Sequence, residues 1–388
     1  MRKLLQAVLM TGFFAVALPL AAQTPCVGLS VVANTPEDEL MLAVNGADKP
    51  EEQVAALEKF AQAHTDSKFM PCVYEYLTST NIKLNNFDKA IEYGEKDVAA
   101  NYLDLNLAIN LLKAYLGAAK PNDAAFDLVA KAPDLIKKEM TPSKPANISD
   151  VDWQKMQEEA AASAKDDRAF MEYAFFQLLP RVADANKRVQ YLDSFVQGYP
   201  DTTNVGQVNF QYFVAYAMLN NTAKADEYGE KAIAADPSNI VALNLVGDSY
   251  ATRQTNLDKA ATYAKKALDQ ATAMKKPEGM SDEQFKTEQN NALGLAHLTL
   301  GYVAFQRASK TRKVGPAIQD LRTAADQLKA NPEYQGKALY LLGSAYEFEY
   351  PPNHRLAIDA LSSASGLQSA FAGPSRDLLA KVKKAAGQ

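Results

Sequence analysis

The chain has 388 residues, with 41 Lys and Arg against 46 Asp and Glu and a formal net charge of −5. That acidic balance argues against nucleic acid or an anionic membrane as the partner. Its two cysteines lie too far apart in sequence to hold zinc without histidines, and there are only three of those.

Residues 1–22 read as a secretory signal peptide. Arg2 and Lys3 precede an apolar run that ends near Leu20, and the small residues Ala21 and Ala22 predict a cut before Gln23. The run would span a bilayer only marginally, so an uncleaved anchor is the lesser reading. Gln23, Thr24 and Pro25 do not fit the pattern that attaches lipid to a following cysteine. The expectation is a soluble periplasmic or secreted protein with no membrane span in the mature chain, whose charge is −7 once Arg2 and Lys3 are removed from the −5 of the whole. Residues 23–48 form an N-terminal extension. In an oxidising compartment Cys26 and Cys72 either pair, which would pin the extension to the first repeat by roughly 3–4 kcal/mol, or remain thiols with Cys72 packed in a helix. Both readings stand.

From about residue 49 the chain is built of copies. LNNFDKAIEYGEK, ending at Lys96, returns as LNNTAKADEYGEK, ending at Lys231, with ten of thirteen positions identical. At the same 135-residue offset Val54, Leu57, Phe60 and Asp66 match Val189, Leu192, Phe195 and Asp201, while Tyr115 and Ala125 match Tyr250 and Ala260. Further on the offset drifts, placing Trp153 over Phe285, Gln157 over Gln289, and Tyr173, Phe176 and Gln177 over Tyr302, Phe305 and Gln306. The spacing predicts a duplicated block, 49–185 onto 186–325, followed by a closing repeat and capping helix over 326–388. Pro142, Pro145 and Ser149-Asp150 predict a turn and a helix cap rather than a linker, as Pro277 and Ser281-Asp282 do in the second block.

Within the second copy Tyr216, Ala225, Tyr228, Ala232, Ile233 and Pro237 stand at the spacing of a tetratricopeptide helix pair, and this segment resembles that family. Leu243, Val246, Gly247, Tyr250, Ala260 and Ala267 look like the next unit. Leu300-Gly301 with Ala317 and Ala324, and Leu339, Leu342, Gly343 and Tyr346 with Ala357 and Ala364, look like two more, with lengthened turns RASKTRK and FEYPPNH. The resemblance implies an all-α fold, a right-handed α-solenoid of helix-turn-helix repeats. Each pair keeps apolar residues on its outer as well as its inner faces, so stacking on a neighbour is the main stabilising contribution.

The resemblance also implies a site. In that family the first helices line a concave surface, and carrying the pattern over gives Asn106, Lys113, Phe210, Asn244, Asp248, Tyr302, Tyr340, Ser344 and Phe348 as residues facing a protein or peptide partner. Each aromatic among them has the alternative of filling the stack between helices. Catalysis, a cofactor and a metal are not expected: no HExxH, GxxxxGK, GxSxG or CxxC is present, and His64, His297 and His354 lie in different repeats. Trp153 reads as a packing residue, because its counterpart is Phe285. The expected activity is that of an exported scaffold, in envelope assembly or secretion. The alternative is a glycan- or small-molecule-binding helical-repeat protein of the envelope.

Overall fold

A computed structural model describes residues 31–100, 102–140, 144, 148–308 and 311–388. Residues 1–22, read above as a leader, and Cys26, Pro142 and Pro145 lie outside them. Among the described residues all regular structure is helical, and the chain divides into two compact units, 31–202 and 203–388. Each unit is an α-solenoid in which a helix packs chiefly on its sequence neighbours.

The first unit holds α1 (Pro36–Asn45), α2 (Pro50–Ala63), α3 (Met70–Lys83), α4 (Phe87–Ala99), α5 (Leu105–Gly117), α6 (Asp123–Met140), α7 (Asp150–Leu178) and α8 (Ala185–Gly198). The second holds α9 (Val205–Met218), α10 (Thr222–Ala235), α11 (Ile240–Arg253), α12 (Leu257–Thr272), α13 (Asp282–Arg307), α14 (Gly315–Gln327), α15 (Pro332–Phe348), α16 (His354–Ser365) and α17 (Ala372–Ala385). α1 lies in the stretch read as an extension. Its Leu40 and Val44 are buried in a cluster with Leu57, Phe60, Met70 and Cys72, so it covers the open side of the first stack.

Four helices of the first unit, α2 to α5, begin at 50, 70, 87 and 105, and α8 to α11 begin at 185, 205, 222 and 240, each 135 later. The turns repeat with them. Asn85 (φ 57°) and Asn220 (φ 55°) close α3 and α9 in the left-handed region, which asparagine tolerates, and the next N–H returns to a carbonyl five residues back in both: Asn86 to Asn81, Asn221 to Tyr216. Ala119 (φ 54°) and Gln254 (φ 57°) do the same after α5 and α11, with Lys120 bonded to Tyr115 and Thr255 to Tyr250.

The side chains of the repeated EYGEK keep their tasks. Tyr115 donates its hydroxyl to Glu95 and Tyr250 donates to Glu230, tying each second helix to the next first helix. Lys96 pairs with Glu92 and Lys231 with Glu227 along the helix. Gly94 and Gly229 lie at the helix crossings, where an added Cβ would come within 2.5 Å of Leu111 and 3.0 Å of Val246. Ala90, Ala125 and Ala260 are fully buried and Ala225 nearly so, allowing the helix pairs to approach closely.

The long helices start where their caps predict. Ser149 accepts from Asp152 N–H at α7, and Ser281 forms a full capping box with Gln284 at α13. Lys144 pairs with Asp150, and Lys276 pairs with Asp282 at the matching place. Trp153 and Phe285 are both half-buried on these helices.

The packing division falls one helix later than the sequence copy. α8 begins the second copy, yet Phe195 stacks on Phe175 at 4.3 Å, Tyr191 on Phe126 at 3.9 Å, and Tyr199 donates to Val129 O at 2.9 Å, holding it to α6 and α7. At the other end α17 lays Leu378, Leu379 and Val382 on the last cluster and turns Lys381, Lys383 and Lys384 to solvent. No described helix is long and apolar enough to cross a membrane.

Candidate partner-binding surface

From α3 onward the odd-numbered helices are the first members of the pairs, and within each unit they touch one another: α3 on α5, α5 on α7, then α11 on α13, α13 on α15 and α15 on α17. Of the second members only α6 and α8 meet so closely. Helices of one row come together on the inside of a curved stack, so the odd-numbered row is the inner one in each unit.

In the second unit the inner row brings three of the expected residues together. Asp248 on α11 accepts from Lys337 Nζ on α15 at 2.6 and 2.8 Å, and Lys337 also donates to Thr252 Oγ1 at 2.7 Å. The ammonium lies 5.7 Å from the ring centre of Tyr302 on α13. Burial raises the Tyr302 phenol above its ordinary value, with smaller contributions from Asp248 and Tyr340. Tyr340 leans on Phe371 at 5.6 Å. Tyr340, Ser344 and Phe348 stand four residues apart on one face of α15, all half-buried.

Phe348 meets Phe305 of α13 edge-on at 5.9 Å, and the Arg312 guanidinium lies 5.4 Å over Phe348 and 5.7 Å over Tyr350. The two lengthened turns, which carry Arg312 and Tyr350, therefore meet. Tyr302, Phe305, Tyr340 and Phe348 each rest one side on the core and keep part of the ring in solvent, so they fill the stack and line its inner face at once.

The remaining expected residues are placed differently. Asn244 is 1% exposed and donates its amide to Ala292 O at 2.9 Å, a bolt between α11 and α13 rather than a surface group. Ser344 donates to Tyr340 O within its own helix, and Phe210 stacks on Phe213 of α9. In the first unit Lys113 lies half-buried over Phe170 of α7, where burial lowers its ammonium from the ordinary value, and Asn106 donates its amide to Glu75.

Four residues of these surroundings went unread in the sequence: Glu75 and Lys337 on inner helices, Asp97 on α4 and Arg312 in the turn after α13. Glu75 had a signal, since it lies 135 residues before Phe210 and so at the same inward position. Lys337 had one too, as a lysine three residues before Tyr340 in an otherwise apolar stretch. The histidines stay apart: His64 against Phe60, His297 on Asp320 and His354 on Glu347. Among the described residues no three His, Cys, Asp or Glu side chains gather to hold a metal ion. Cys72 is disulfide-bonded, and the chain has one other cysteine, Cys26.

No family model matches this chain, and no curated protein matches its sequence. Among solved structures it is similar to one described as the APC/C hetero-tetramer Cut9-Hcn1, at 12% identity over 90% of each chain and a TM-score of 0.27.

Proposed function

We propose that this protein is an exported helical-repeat scaffold, not an enzyme, which holds a protein or peptide partner against the inner helices of its stacks. One observation carries the reading: the α13–α15 face presents Tyr302, Phe305, Tyr340 and Phe348 as half-exposed rings on rigid helices, packed from behind and flanked by Arg312. Aromatic rings and arginine held this way offer contact area at small entropic cost, which is how binding hot spots are built. Export is supported by the sequence of residues 1–22, which reads as a leader. The periplasm or the exterior of the cell is the proposed location, and envelope assembly or secretion the proposed setting.

A pull-down from envelope extract tests this directly. A defined polypeptide is expected on the wild-type chain and is expected to be lost with Tyr302→Ala and Phe348→Ala together. Retention of no polypeptide, with binding on a glycan array that Tyr302→Ala abolishes, would instead make the same face a sugar site.

A further inference from the structure

Glu75 on α3 and Asp97 on α4 are 1% and 0% exposed beneath the inner face of the first unit. Glu75 Oε1 accepts the Asn106 amide, but Glu75 Oε2 and both Asp97 oxygens have no hydrogen-bond partner. Asp104 adds a third acid: it caps α5 by accepting from Leu107 N–H at 2.8 Å and receives the Tyr102 hydroxyl at 3.2 Å. Bare buried carboxylates are costly unless a cation or donors meet them. Burial first, then repulsion from Glu75 and Asp104, pushes Asp97 up to about 8. Burial raises Glu75 as well, against the pull of the Asn106 hydrogen bond.

The chain contains its own comparison. At an offset of 135 Glu75, Asp97, Asp104 and Asn106 become Phe210, Ala232, Asn239 and Val241, so the acidic set belongs to the first unit alone. In the second unit the inner acid Asp248 is met by Lys337 from four helices further along the chain. One inner acid is neutralised from within, while the Glu75 and Asp97 pair is left without a cation. Glu139 at the end of α6 is raised by burial first and then by Asp104 and Asp167, with Lys138 opposing. A cationic side chain would supply the donors that these oxygens lack.

We propose that Glu75 and Asp97, with half-exposed Asn106 bonded to Glu75, form the seat for an arginine or lysine side chain of a bound peptide. This rests on the inner helices being a peptide-binding surface. The cation would supply donors to the three bare oxygens, and its binding would displace the proton that Asp97 otherwise keeps, so affinity rises with pH.

The test uses the full mature chain and an array of short capped peptides in matched pairs, one member with a central arginine and the other with its neutral isostere citrulline. Titration calorimetry is then run on the tightest pairs. Arginine is expected to bind at least about tenfold tighter, as a charge-assisted contact gives. That preference is expected to grow from about pH 6 to about pH 9 and to vanish in Glu75→Gln with Asp97→Asn. Both substitutions keep shape, and a melt at or above wild type near pH 8 reports a folded variant; if the double variant melts lower, Glu75→Gln alone carries the comparison. Equal binding of arginine and citrulline peptides would overturn the seat and leave peptide binding standing. An arginine preference that survives the double substitution would also overturn it, as would free agmatine binding as tightly as the peptide. Binding of no peptide at all would overturn both readings.

Discussion

At Gly94 an alanine would set its Cβ 2.5 Å from Leu111 Cδ2, a side chain itself 1% exposed, whereas at Gly229 the nearest atom is Val246 Cγ2 at 3.0 Å. Alanine gains about 1 kcal/mol of helix propensity over glycine, so the sign depends on the crossing. Gly94→Ala is expected to lower stability by about 1–2 kcal/mol, and Gly229→Ala to stay within about 0.5 kcal/mol of wild type. Denaturant melts of the two variants check this, and a more stable Gly94→Ala would show that the α4–α5 crossing has room. Asp97 gives a pH-dependent counterpart. Its value in the folded chain, about 8, lies above the ordinary 3.8, so between these values the folded chain binds more protons than the unfolded one. Its contribution to stability is therefore full at low pH and is lost as pH rises toward 8. Asp97→Asn is expected to melt above wild type near pH 8, with the gap closing toward pH 4. A gap independent of pH would contradict this.

Between elements, the contact that sets α15 against α11 is the Lys337–Asp248 pair, whose side chains are 8% and 13% exposed. Removing one partner of a pair so buried leaves an uncompensated charge, so Lys337→Met is expected to cost about 2–4 kcal/mol, and adding Asp248→Leu to restore much of it. Thermal melts of the single and double variants decide, and equal losses in both would deny the coupling. The sequence made the helices legible because the EYGEK copies, their buried alanines and the Ser149 and Ser281 caps act locally. It did not show Lys337 meeting Asp248, because 89 residues separate them and only the stacking of α11, α13 and α15 joins them. For the same reason Asn244 read as a surface group: its hydrogen bond to Ala292 crosses to a helix whose approach the repeat pattern does not specify. Glu75 stands at the position of Phe210 in the first copy, but nothing local in the sequence marks its burial.

Across the whole molecule the duplicated register and the packing of compact units disagree by one helix, α8, because aromatic contacts to α6 and α7 outweigh its kinship with the second copy. We propose at this scale that Cys72 on α3 pairs with Cys26, the chain's other cysteine. Peptide mapping without reductant is expected to find that pair in protein recovered from outside the cytoplasm, and reduction to lower stability by about 4 kcal/mol for a loop of this length. Free thiols at both positions in exported protein would contradict the pairing. In the proposed function, partners are held by the inner row of helices. Its most direct measurement is photo-crosslinking in intact cells from single probes at Tyr340 and Phe348 on inner α15, and at exposed Gln319 on outer α14. One common polypeptide is expected to crosslink from Tyr340 and Phe348 and not from Gln319; its capture from Gln319 alone would contradict a partner held by the inner helices.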